Sequence, residues 1–435
     1  PAGEWIVTFG GWAEAQFKDD QRSFTREELD ALAPSHPVVM QTLYTHSVLN
    51  SAAMRSIGMD ASAPDPANGK IEKDSKGQPT GRVTGAGAVA MVAEKVPLAS
   101  AEQRLVNARK VVQELNAMGI TTFMDAGGRG MTPEHDVPYQ KLAEQQQLNV
   151  RIFSQHALGQ PKNAEEVDAM LAGLQAGQIP PSFRGNEWMD NVGYGELPYS
   201  GVYTTLLTPK GRPSDADLQQ WKRMVQAIAD KGLYLNVHAE MAEVISGMLD
   251  VYEEVNRTTP IRGLRWSLSH VDQLQPSHIE RLRRLGMSVQ LHSRPVVQGT
   301  LEHQAHGDTA WDMPPLRMVR DSGIPWGLGS DATAVNQGNP FYTLGFVVTG
   351  RALNGDNVIR QTLSRTEALV AHTRANALQV FRPTELGALM PGRFADLLIL
   401  DRDYLTVPEK DIQSLKPLMT MVGGRIVYTA APFKP

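Results

Sequence analysis

The chain has 435 residues, enough for about three domain-sized units or one large barrel with an appendage. Apolar residues make up 41% and charged residues 20%, which excludes a disordered chain. A net charge of −5 gives no general attraction to nucleic acid, and the lack of cysteine excludes a disulfide scaffold, a thiolate nucleophile and any Cys-ligated metal.

Residues 1–99 are rich in Pro, Gly, Ser and Ala, with clusters such as Ala61-Ser62-Ala63-Pro64-Asp65-Pro66. They predict an irregular, lid-like insertion. From about residue 100 one pattern recurs: a helical stretch ends in Gly and runs at once into a short apolar segment. Ser100 to Gly119 leads into Ile120–Asp125, and Ser214 to Gly232 leads into Leu233–His238. Pro276 to Gly286 leads into Met287–His292, and Pro314 to Gly323 leads into Ile324–Asp331. Gly is the favoured left-handed helix stop. Ser100 with Gln103, and Ser214 with Asp217, resemble capping boxes. Asn149–Phe153, Trp188–Val192 and Arg265–Ser269 read as further strands. Seven strands alternating with helices predict a parallel sheet, either a (β/α)8 TIM barrel short of one strand or a doubly wound open sheet. From about residue 385 short β-like runs return: Ala395–Asp401, Thr420–Val422 and Arg425–Tyr428, the last two joined by Gly423-Gly424. They predict a small β appendage. The division expected is 1–99 as insertion, 100–384 as barrel and 385–435 as part of a β-sandwich. No apolar run reaches the ~20 residues needed to span a bilayer.

In a parallel barrel the C-terminal strand ends face the active site. Here those ends carry Asp125, Glu196, His238, His270, His292 and Asp331. Neutral imidazoles with carboxylates suit a divalent ion with an open coordination position. Asp331 then stands where a base for the attacking water is needed. Asp125 reads as structural. Arg294, just after the seventh strand, is a candidate for holding a substrate carboxylate, and His292 and His46 are further candidate substrate contacts. Gly85-Ala86-Gly87-Ala88-Val89-Ala90 fits a dinucleotide fingerprint but follows a polar stretch rather than a strand, so it is set aside. His303 and His306, among Glu302, Gln304, Gly307 and Asp308, read as exposed loop rather than a second metal site.

His238 in Asn236-Val237-His238-Ala239-Glu240, His270 in Leu268-Ser269-His270-Val271-Asp272, and Asp331 in Gly327-Leu328-Gly329-Ser330-Asp331-Ala332 resemble strands five, six and eight of the metal-dependent amidohydrolase superfamily. Gly387 to Asp401 resembles its C-terminal return into a β-sandwich, and Gly423 to Tyr428 its closing strand. Leu29–Val39, then His46 and Asn50–Met54, resemble the insertion of the branch that includes N-substituted formamide deformylase.

The resemblance implies a (β/α)8 barrel with a small β-sandwich and one or two divalent ions, zinc first. It implies His238, His270, Glu196 and Asp331 as metal ligands, with Asp190 second to Glu196 as the bridging carboxylate in place of a carboxylated Lys. The reaction implied is hydrolysis of a non-peptide C–N bond by metal-activated water, with Asp331 as the catalytic base. Two departures stand out. The family's His-x-His pair is absent, and is expected upstream of Pro1 with the first strand; the fourth strand has no Lys. A deaminase using the same ligands, and a non-catalytic ligand-binding or regulatory barrel, remain the alternatives. The expected partner is a small-molecule substrate, with neither nucleic acid nor membrane; a homo-oligomer stays open, as does a cytoplasmic or exported location.

Overall fold

The computed structural model describes residues 3–128, 132–179, 182–196 and 199–433. Residues 1–99 are more regular than expected. Within them β1 (Ile6–Phe9), β2 (Val38–Thr42), β3 (His46–Leu49), β4 (Lys70–Lys73) and β5 (Pro79–Thr84) form a mixed sheet in the order β1-β2-β3-β5-β4. The helices Arg26–Leu32, Ser51–Ser56 and Ala86–Lys95 pack with it. The "irregular" reading failed for a physical reason. These strands have four to six residues, and β3 is buried on every residue, so no alternation of polar and apolar residues marks it. Gly11 donates its N–H to the Ala334 carbonyl, and Asn354 donates to the Ala15 carbonyl. This unit therefore rests on the loop that follows Asp331.

The helix–Gly–strand joints form where the sequence places them. The Ser100 and Ser214 hydroxyls accept from the N–H groups of Gln103 and Asp217, each at 3.1 Å. Gly286 ends the helix Pro276–Leu285 at φ +69, where a side chain would also meet Arg262. The strands that follow are β6 (Thr122–Asp125), β7 (Arg151–His156), β8 (Met189–Tyr194), β9 (Asn236–Ala239), β10 (Ser267–His270), β11 (Ser288–His292) and β12 (Trp326–Gly329). All pairs are parallel and in chain order, β6-β7-β8 and β9-β10-β11-β12, joined by a parallel bridge between Tyr194 and Leu235. The result is a TIM-barrel-like arc of seven strands. Among the described residues no strand pairs with the outer edges of β6 and β12.

Helices cover the outside of the arc. Helix Asp215–Asp230 buries Leu218, Trp221, Val225 and Ile228, spaced three and four apart, so one stripe faces the core. Trp221, Tyr252 and Trp266 pack in series there, with ring centroids 6.2 and 5.6 Å apart. Inside the arc a polar layer lies one residue pair below the strand ends. Asn236 accepts from Ser267 and Ser269, and Gln290 donates to Ser267 and Tyr234. Every member finds a partner, which is what makes such a layer tolerable in a core.

At the C-terminus β13 (Leu397–Leu400), β14 (Pro417–Val422) and β15 (Arg425–Thr429) form an antiparallel sheet. Gly423 and Gly424 turn the last hairpin with φ +57 and +78, the double positive pair of a type I′ turn. One ion pair ties this sheet to the arc. The fully buried Arg151 of β7 binds both carboxylate oxygens of Asp396 at 2.8 and 3.1 Å, donates to the Glu187 carbonyl, and lies between the rings of Trp188 and Phe394. Losing one partner of a buried pair strands the other charge. Arg151→Ala is therefore expected to cost about 3–5 kcal/mol in urea denaturation; a loss under about 1 kcal/mol, the value of a surface pair, would show that Asp396 regains water and that the contact is peripheral.

Candidate metal centre

Four neighbouring strand ends deliver the site. β9 presents His238 above Asn236, and the chain continues to Glu240. Residues two apart share a face, so one strand supplies both the polar floor and the ring. β10 ends differently. Ser269 and His270 are consecutive, and the left-handed backbone of His270 (φ +76) and Val271 (φ +50) ends the alternation as the ring meets Glu196. Asp331 after β12 is also left-handed, at φ +60. Backbone of this kind on non-glycine residues is costly and clusters at functional sites. Glu196, two residues beyond β8, is held by its own N–H to the Gly127 carbonyl and by its carbonyl to the N–H of His238.

His238 Nε2 donates to the Thr204 carbonyl at 2.8 Å. A carbonyl only accepts, so in the neutral ring the lone pair sits on Nδ1. That Nδ1 is buried, has no hydrogen-bond partner, and lies 3.6 Å from Glu196 Oε2. His270 Nε2 is 2.8 Å from the same oxygen, and its Nδ1, also without a hydrogen-bond partner, is 3.7 Å from Asp331 Oδ2. The two rings are 4.3 Å apart. One ligand atom each from Glu196, His238 and His270 falls within 4.8 Å of the others. Two imidazole nitrogens and a carboxylate oxygen are the donor set for a borderline divalent ion, and the orphaned nitrogens fit such a guest. The site opens on a cavity of 2060 Å³ that extends between β6 and β12.

Around these residues lies a second set: Arg294 and His292, expected as substrate contacts, and Glu240 and Asp272, which the sequence did not single out. Arg294 is buried; its Nη2 is 2.7 Å from Glu240 and 3.2 Å from Asp272, and its Nε is 3.4 Å from Asp331. Glu240 also faces His238 Nε2 at 3.2 Å and accepts from the Leu206 N–H. Asp272 holds His292 Nε2 at 3.1 Å. Burial alone would raise Glu196, but His270 and His238 hold its carboxyl far below the usual carboxylate range. Burial would lower His238, yet Glu240 and Glu196 drive it well above an ordinary imidazole. Burial lowers His270, helped by the charge on His238. Burial raises Asp331 although His270 and Arg294 stand beside it.

Of the expected substrate contacts, His292 and Arg294 line the cavity, but both are turned onto Asp272. Arg294 is thus committed to three internal carboxylates rather than offered to a substrate carboxylate. His46 is placed elsewhere. Its ring is held by Glu14 (2.9 Å), Thr45 (3.0 Å) and Ser23 (3.3 Å), while its neighbours Tyr44 and Thr45 reach the cavity. Asp190 accepts from the Gly185 N–H and pairs with Arg382, so it is not the bridging carboxylate. Asp125 bonds the Gly127 N–H in the strand's own turn.

His303 and His306 lie on a helix, Pro295–His306, not in a loop; they bind the carbonyls of Val358 and Leu206. Glu302 on that helix is 2% exposed, again against the loop reading. A signal existed for Glu240, two residues after His238 and so on its face; Asp272 had none, because the left-handed backbone at His270 and Val271 breaks the alternation before it. Zinc titration checks the cluster. His238→Ala and Glu196→Ala are each expected to weaken zinc binding by at least ~tenfold, the scale seen when even a supporting partner is lost. His46→Ala serves as the unaffected control. Unchanged affinity in both ligand variants would remove the metal assignment.

Comparison with known proteins identifies the family. The chain is 25% identical over 450 residues to N-substituted formamide deformylase of Arthrobacter pascens, covering 98% of this chain and 80% of that protein. It is 25% identical over 452 residues to the protein LONG AFTER FAR-RED 3 of Arabidopsis thaliana, covering 98% and 74%. A metal-dependent hydrolase of Pyrococcus horikoshii shares the fold with a TM-score of 0.66 at 17% identity, over 94% of this chain and 79% of that one. Residues 1–428 match the model of the amidohydrolase family, and the chain belongs to that family.

Proposed function

We propose that the protein hydrolyses a C–N bond, other than a peptide bond, in a small molecule, with Glu196, His238 and His270 holding a divalent ion and Asp331 acting as base. Zinc is our reading of the ion, as one or two equivalents. The observation that carries this is the convergence of one carboxylate and two orphaned imidazole nitrogens at the floor of a cavity, beside Asp331. When bound there, a divalent ion supplies Lewis acidity and makes water acidic near neutral pH. The seven-strand arc is, in this reading, a (β/α)8 barrel whose eighth position is the gap between β6 and β12. The partner is a small molecule, because the site is a recessed cavity rather than a surface.

Asp331 faces the cavity, with 31% of its side chain exposed, and the rest is fixed by Arg294 and His270. A carboxylate placed so can take the proton of an attacking water and return it to a departing nitrogen. Burial raises its affinity for that proton. Tyr203 packs against His238 with the rings tilted and their centroids 4.7 Å apart. The Thr204 carbonyl orients His238 through Nε2, and Glu240, ion-paired with Arg294 and accepting from the Leu206 N–H, lies 3.2 Å from the same nitrogen.

The similarity to N-substituted formamide deformylase sets the first substrates to try. Zinc-loaded protein incubated with N-substituted formamides and other N-acyl amines should release amine, followed by chromatography. Asp331→Asn should lower kcat by about 10²–10⁴, the range of general base catalysis, and still bind zinc. Near-normal turnover in Asp331→Asn would overturn the base assignment; zinc-loaded protein inert toward every C–N substrate class would overturn the hydrolase reading.

A further inference from the structure

We propose that the cavity selects substrates carrying a positively charged nitrogen away from the scissile bond, and that Glu302 receives that nitrogen. The inference rests on reading the cavity as the substrate site.

Glu302 lies on the helix Pro295–His306, which follows β11 and forms a wall of the cavity. It is 2% exposed, and among the described residues no donor or base pairs with its carboxyl. Arg294 stands near, but its Nη2 and Nε are engaged by Glu240, Asp272 and Asp331. A buried carboxyl without donors is costly unless something else satisfies it. Burial and the charge of Asp272 push it up to about 8, so it waits close to neutral. His306 of the same helix bonds the Leu206 carbonyl at 2.7 Å, and Gln298 bonds the Val335 carbonyl at 2.9 Å, so the wall is fixed.

The rest of the lining offers less to the opposite charge. Besides Arg294, the arginines of the cavity are Arg402, bonded to Asp401 and Ser414, and Arg104, exposed on the outer helix Ala101–Ala117. No lysine lines it among the described residues. A substrate carboxylate beside Glu302 would meet a second carboxyl, and Arg294 next to it is already paired through Nη2 and Nε. An ammonium or amidinium group would instead ionise Glu302 and form a charge-assisted hydrogen bond, the stronger kind.

Three planar isosteres separate the charges: benzamidinium, benzamide and benzoate, titrated calorimetrically into zinc-loaded and zinc-free protein. Benzamidinium is expected to bind at least roughly tenfold tighter than benzamide, the scale of one hydrogen bond to a charged group. Glu302→Gln should abolish that preference and leave benzamide binding unchanged. Benzoate binding tightest to zinc-free protein, no benzamidinium binding at millimolar concentration, or an unaltered preference in Glu302→Gln would each overturn the proposal. If the variant does not fold, the charge series on the unaltered protein decides alone. Binding is read without turnover, so a failed hydrolase assignment and a failed Glu302 assignment give different results.

Discussion

The buried guanidinium of Arg294 fixes the mouth of this protein. It draws together carboxylates from three different strand ends: Glu240 after β9, Asp272 after β10 and Asp331 after β12. None of these could be buried near the others without it, because like charges at such range push each other's protons back on. Glu196 adds a further carboxylate on the other side of Asp331, held far below the usual carboxylate range by His270 and His238, while Glu240 and Glu196 raise His238. Buried charge must be paired. A divalent ion held by Glu196, His238 and His270 would supply positive charge at the orphaned imidazole nitrogens.

The geometry of that cluster depends on what lies beneath it. Asn236, Ser267, Ser269, Gln290 and Tyr234 form a satisfied network beneath and beside the ligands, with Ser269 and Gln290 in register with His238. It ties β9, β10 and β11 together, so that His238, His270 and His292 emerge at successive steps along the arc. Left-handed backbone at His270 and Asp331 is then tolerable, because the surrounding strands over-determine it. Arg151 and Asp396 do similar work at the other end of the arc, where a bidentate pair between aromatic rings fixes the C-terminal sheet against β7.

Much of this was legible in the sequence, and the parts that were not share a cause. Gly119, Gly232, Gly286 and Gly323 marked the helix–strand joints because a left-handed stop has few chemical solutions, and all four take positive φ. Gly423-Gly424 announced its turn in the same way. His238, His270 and Asp331 were found because strand ends in a parallel sheet face one way. Glu240, Asp272 and Glu302 were not found, because an acidic residue reads as solvated by default and its burial depends on a partner far along the chain. Arg294 was found but misread: its three partners lie on three other segments, and local sequence shows none of them. The β1–β5 sheet was missed because its buried strands hide the alternation that would have marked them.

Chemistry and selectivity fall on different elements here. The ligands and Asp331 sit on strand ends tied to the polar floor, whose hydrogen bonds cross from strand to strand. Glu302 sits on a helix fixed instead by His306 to the Leu206 carbonyl, and Gln298 fixes the same helix to the loop behind Asp331. Glu302 and Asp331 share Arg294 as a charged neighbour, and Arg294 is anchored separately by Glu240 and Asp272. A change at the helix wall can therefore alter which nitrogen-bearing group is held without displacing the base. In the proposed reading that separation lets the wall residue set discrimination independently of the strand ends that hold the chemistry.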